Sequence, residues 1–169
     1  MRWMSRVAAA LATVLVAQPM AAQTSFSLAA GASLPIGSSA DAYEMGYNAT
    51  VGLGIKPPIA PVGLRFEGAL NSMSMKNDGP NLRMLSGIAN VTLSAAAMPM
   101  GYLIGGIGMY NIKQEAQAPL FAEVSDTKVG FNIGAGLNFP LTGFSTFLEA
   151  RFHFVDDFKF IPITFGVKF

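Results

Sequence analysis

Lys128-Val129-Gly130-Phe131-Asn132-Ile133-Gly134-Ala135-Gly136-Leu137-Asn138-Phe139 carries the reading of the fold. Phe131, Ile133, Ala135, Leu137 and Phe139 alternate strictly with Asn132, Gly134, Gly136 and Asn138. Successive side chains of a strand point to opposite faces, so a period of two makes one face apolar and the other polar or small. The rival reading is a helical membrane protein, because 84–112 and 129–148 contain no charge, and hydropathy alone would mark both as transmembrane helices. Pro99 and Pro140 fall in the middle of these stretches. Glycines also recur at two-residue spacing, as Gly52 and Gly54, Gly106 and Gly108, Gly134 and Gly136. A pleat facing lipid on one side and a lumen on the other fits all of this, which is the pattern of a transmembrane β-barrel.

Read outward from that stretch, alternation divides the chain into eight segments, at 25–34, 46–55, 62–71, 83–93, 101–110, 128–139, 146–154 and 161–169. The fold expected is all-β, an eight-stranded antiparallel up-and-down transmembrane β-barrel. Segment 101–110 leaves its facing open, since both parities are apolar or glycine. The connections at 56–61, 94–98 and 140–143 are short. Those at 35–45, 72–82, 111–127 and 155–160 are mostly longer and carry most of the remaining charge, including Asp78 and Glu123. Short turns belong on the periplasmic side and charged loops outside, which places both termini in the periplasm. Nine of the ten prolines sit in the leader, in connections or at strand ends, where a missing N–H costs least; Pro162 is the exception.

Residues 1–22 read as a cleaved secretory signal peptide. Arg2 and Arg6 precede the apolar run 7–17, Pro19 breaks it, and Met20-Ala21-Ala22 offers a small-residue cleavage site. The run is too short to span a bilayer as a helix. Residues 23–169 then form the outer-membrane barrel domain, the expected location being the outer membrane of a Gram-negative-type envelope. The only tryptophan, Trp3, lies in the leader, so the mature chain should contain none. The chain has no cysteine, so neither a disulfide nor a lipoprotein anchor is available. It is 51% hydrophobic and 12% charged, and losing two leader arginines and no acid moves its formal charge from +1 to −1. Near-neutrality implies no basic face for nucleic acid.

The final segments, 147–154 and Ile161-Pro162-Ile163-Thr164-Phe165-Gly166-Val167-Lys168-Phe169, resemble the last two strands of the small outer-membrane β-barrel domain family. That porin-like group is related in shape to the eight-stranded OmpA and OmpX barrels. The opening Leu28-Ala29-Ala30-Gly31-Ala32-Ser33-Leu34-Pro35-Ile36-Gly37 resembles the family's first strand and turn. The resemblance implies a barrel without a peptidoglycan-binding domain, since nothing follows Phe169 here. It is almost silent on activity, because fold does not give function. Phe165, Val167 and Phe169 form the expected C-terminal assembly signal, read by barrel-assembly machinery. Phe131, Ile133, Leu137, Phe152, Phe165 and Val167 are expected to face the lipid bilayer.

Arg65, Glu67, Glu149, Arg151, His153 and Lys168 lie inside strands on the non-lipid parity. A hydrolase would need a serine near His153 and an acid to orient it. Two positions along its strand face His153 has only Arg151 and Val155. A metal site needs several ligands and the chain has one histidine and no cysteine, so no catalytic, cofactor or metal residues are assigned. The same residues make a structural charge network instead, because an unpaired buried charge is costly. Arg65 to Glu149 and Glu67 to Arg151 are the expected pairs across the lumen of a barrel just wide enough for side chains to fill. The glycine-rich 105–108 and 134–136 do not lie between a strand and a helix, so dinucleotide binding is not indicated. The function expected is a structural or surface-interaction barrel presenting four extracellular loops to an unspecified partner. A narrow channel or lateral conduit for small apolar ligands is the alternative, ahead of a lipid-modifying enzyme.

Overall fold

A computed structural model describes residues 23–57, 60–77, 81–94, 99–114 and 124–169. The expected leader 1–22, together with Asp78, Glu115 and Glu123, lies outside them. Eight strands follow in order: β1 Gln23–Pro35, β2 Gly46–Lys56, β3 Val62–Met73, β4 Leu82–Ser94, β5 Gly101–Gln114, β6 Val124–Pro140, β7 Ser145–Val155 and β8 Phe158–Lys168. Each pairs antiparallel with the next and β8 closes on β1, giving an up-and-down barrel. Two backbone bonds between Phe26 and Phe169, of 3.0 and 2.8 Å, lock the seam at the terminus end. Among the described residues no helix is long and apolar enough to cross a membrane.

Alternation orients every strand. Large apolar side chains such as Leu53, Phe66, Leu85, Ile107, Phe131, Ile133, Leu148 and Phe165 stand exposed on the outside. Phe152 and Leu137 share that face, with Val167 half-buried on the same parity near the seam. Outward charges inside strands are confined to Arg83, Lys113 and Lys159, all at the loop end. Strand β5 resolves its ambiguity by turning Tyr102, Ile104 and Tyr110 inward and Leu103, Ile107 and Met109 outward.

The expected boundaries change at the loop end. Strands β5 and β6 keep pairing beyond the apolar stretch, from Asn111↔Thr127 to Gln114↔Val124, because ladder hydrogen bonds do not depend on hydropathy. The connection 155–160 is not a loop. Strands β7 and β8 pair up to Val155↔Phe158 around Asp156 and Asp157. Asp156 takes φ 56°, a left-handed conformation that Asp tolerates in tight turns. The connection 35–45 contains a short helix, α1 Ser38–Ala42, that the sequence did not announce. It folds across the mouth, held where the Lys159 backbone N–H donates to Ser39 Oγ at 3.0 Å and Lys76 Nζ donates to the Ala40 carbonyl at 2.7 Å.

Pro162 points inward in β8 and interrupts the ladder to β7. The register runs through Ala150↔Ile163 and resumes unchanged at His153↔Phe160, leaving Arg151 and Phe152 outside the paired set. On its other side Pro162 stays paired with Ser33 of β1.

Candidate functional site

The lumen is filled in layers. Midway along it, strands β3 and β7 contribute two inward charges each at alternate positions, so each strand presents one arginine and one carboxylate to the opposite wall. Arg65 Nη2 donates to Glu149 Oε1 and Oε2 at 2.7 and 2.6 Å, and Arg151 Nη1 donates to Glu67 Oε2 at 2.6 Å. Along each strand Arg151 Nε lies 2.9 Å from Glu149 Oε1, and Arg65 Nε lies 3.1 Å from Glu67 Oε1. The second of these is an ion contact without hydrogen-bond alignment. The four groups therefore form a closed ring of alternating sign and zero net charge. Both expected cross-lumen contacts occur in it.

Exposure of 2% for Glu149, 3% for Arg151 and 7% for Glu67 means that these charges have left water. Such burial persists only where the remaining lone pairs are also satisfied. Asn90 Nδ2 donates to Glu67 Oε2 and the Tyr102 hydroxyl to Glu149 Oε2, each at 2.6 Å. Asn132 Nδ2 extends the network to Asn90 Oδ1 at 3.0 Å. The inward glycines make this possible. Gly136 lies between Tyr102 on β5 and Glu149 on β7, and a Cβ there would run into the tyrosine ring. At Gly134, opposite Arg151, a Cβ would run into the Ala150 carbonyl and the Arg151 backbone, so β6 and β7 approach closely there. The glycine stripe of β6 thus gives room to the Tyr102 ring at Gly136 and to the β7 backbone at Gly134.

Two expected members of the charge network stand apart from it. His153 is buried above the ring, with Nδ1 3.0 Å from the Tyr110 hydroxyl and its ring 4.8 Å from that of Phe160. No carboxylate reaches it in the described residues, because it borders the apolar layer. Lys168 sits at the terminus-side mouth, one strand end away from the ring. On the β1–β2–β3 wall a further polar group links Ser33 Oγ to Asn71 Oδ1 at 2.7 Å and Asn48 Nδ2 to the Ala32 carbonyl at 2.9 Å.

Toward the loop end the lumen becomes an apolar plug of Met73, Leu82, Met84, Ile88, Tyr110, Val155 and Phe160. Tyr43 and Phe158 pack against it, edge to face with ring centroids 5.4 Å apart. The plug was not legible in sequence, because apolar residues at inward positions break the polar-inside pattern. The missed tyrosines, Tyr102 and Tyr110, belong to the strand whose facing alternation left open. Among the described residues no group of three or more His, Cys, Asp or Glu side chains is placed to hold a metal. The arrangement positions charges for mutual neutralisation.

No family model and no curated protein matches the sequence. Solved structures do match the fold. Neisserial surface protein A is similar at TM-score 0.72 and 13% identity, over 87% of this chain and 97% of that one. Ail, the attachment invasion locus protein of Yersinia pestis, in complex with the heparin analogue sucrose octasulfate, is similar at TM-score 0.60 and 17% identity, over 88% and 99%. The N-terminal β-barrel domain of Pseudomonas aeruginosa OprF is similar at TM-score 0.52 and 16% identity, over 88% and 99%. The chain has the fold of the small eight-stranded outer-membrane barrels, OmpA- and OmpX-like in architecture.

Proposed function

We propose that this chain is an integral outer-membrane protein with a closed lumen, a scaffold that presents its loop end as an interaction surface. One observation carries the reading: the Arg65–Glu67–Arg151–Glu149 ring and the apolar plug occupy the interior from wall to wall. The exterior meanwhile presents a continuous apolar wall. A conduit needs the opposite inside, and a catalyst needs reactive groups open to substrate. The outward charges Arg83, Lys113 and Lys159 are all basic and all at the loop end, where long cationic side chains reach lipid phosphates. The longer, charged connections at this end support loops outside and termini in the periplasm.

On this reading residues 1–22 are removed on export, the mature chain begins at Gln23, and Phe165, Val167 and Phe169 present the last strand to the assembly machinery. The loop end carries eight of the ten acids against five bases. This favours a cationic extracellular partner and sets the chain apart from the polysulfated ligand named for Ail. Outer-membrane material should show a mass starting at Gln23 and no tryptophan emission. The refolded mature barrel in a planar bilayer should give no stepwise current. Steady single-channel steps would replace the closed scaffold by the narrow channel.

A further inference from the structure

We propose that the terminus-side mouth of the barrel is a binding site for a phosphate group. A cavity of about 170 Å³ opens there, lined by Ser25, Ser27, Lys56, Arg65, Tyr102 and Lys168 among others. The charge balance singles it out. Of the ten acids in the chain, Glu67 and Glu149 are matched by Arg65 and Arg151, and all the others belong to the loop end. Residues 58–59 and 95–98, which lie outside the described residues, contain no charge. Lys56 and Lys168 therefore have no carboxylate side chain to pair with among the described residues. Lys56 donates to Ser94 Oγ at 2.7 Å, a neutral acceptor. Lys168 is half-buried at an inward position of β8 between Ser27 and Ser145.

A half-buried ammonium with no acidic side chain paired to it gains from a bound anion, and lysine serves phosphate as a point charge. The hydroxyls of Ser25 and Ser27 are donors of the kind an oxyanion accepts. One water needs roughly 10–15 Å³ of such cavity space, so the cavity admits a tetrahedral oxyanion with its waters. The phosphate can belong to a soluble ester or to the headgroup of a lipid bent over the rim at Leu64 and Met100.

The test uses folded residues 23–169 in phosphate-free detergent, with calorimetric titration of inorganic phosphate at constant ionic strength and, separately, of a short-chain phosphatidic acid. Saturable binding is expected. Lys168→Gln should weaken it by about tenfold or more, and Lys168→Arg should retain it. Binding of inorganic phosphate assigns a soluble anion, whereas binding of the lipid alone assigns a headgroup. Should Lys168→Gln fail to fold, Lys56→Gln at the exposed rim carries the test with the same expected direction. No saturable heat with either probe, or binding unchanged in both variants, overturns the proposal. Binding is read in detergent, so the outcome is separate from whether the barrel conducts.

Discussion

Glu149→Gln is expected to destabilise the barrel by about 3–5 kcal/mol, read as a lowered urea midpoint for unfolding from lipid vesicles. Glu149 accepts two bonds from Arg65 and one from Tyr102 and faces Arg151 Nε at 2.9 Å. A neutral amide leaves two arginines sharing Glu67, so the ring acquires a net positive charge in a dry layer. The loss comes from the stranded charge more than from the missing contact. Arg65→Met combined with Glu149→Leu removes one cation and one anion and leaves the Arg151–Glu67 bond of 2.6 Å intact. That double variant should recover most of the loss. Losses that simply add would show that the four residues do not act as a unit. A Glu149→Gln protein of unchanged stability that lost turnover of a lipid substrate would instead make the ring a catalytic site.

The second large effect lies on the outer wall. Ile133→Arg places a charge at a position 61% exposed, near the middle of β6. It should cost about 2–4 kcal/mol if that wall meets acyl chains. Its neighbour Asn132 points inward and donates to Asn90 Oδ1. Asn132→Ser should therefore cost about 0.5–1.5 kcal/mol, the worth of one hydrogen bond. Equal losses at the two positions, or an arginine tolerated at 133, would mean that the outward face of β6 is not in lipid.

Alternation revealed the strands wherever one parity is polar, because only an asymmetric surroundings leaves a period-two trace. The same trace put Arg65 and Glu67 on one inner face and Glu149 and Arg151 on another. The narrow bore of eight strands then sufficed to pair them across it. Strand β5 gave no trace, since Ile104 and Ile112 inside match Leu103 and Ile107 outside in character. With that facing unread, the contacts of Tyr102 and Tyr110 stayed hidden too. Charge density misled at 155–160: Asp156 and Asp157 read as a loop, yet two aspartates between alternating aromatics make a tight hairpin. The apolar plug hid for a different reason. A small barrel sealed at one end has a core like that of a soluble domain, and there inward Met84 and Ile88 are favoured over polar residues.

Seven of the eight strand junctions join neighbours in the chain, and only the β1–β8 seam is remote. An incomplete sheet in hydrocarbon would keep two strand edges with unsatisfied backbone groups, so closure of the seam ends that cost in one step. The ring depends on the same step. Arg65 and Glu149 are 84 residues apart, on walls that an open sheet holds away from each other. Bringing Phe169 beside Phe26 also curls β3 toward β7. Wall closure and interior charge neutralisation are therefore one cooperative event. A half-rolled intermediate would carry both penalties at once, free edges outside and stranded ions within, and the barrel should assemble and come apart as an all-or-none unit.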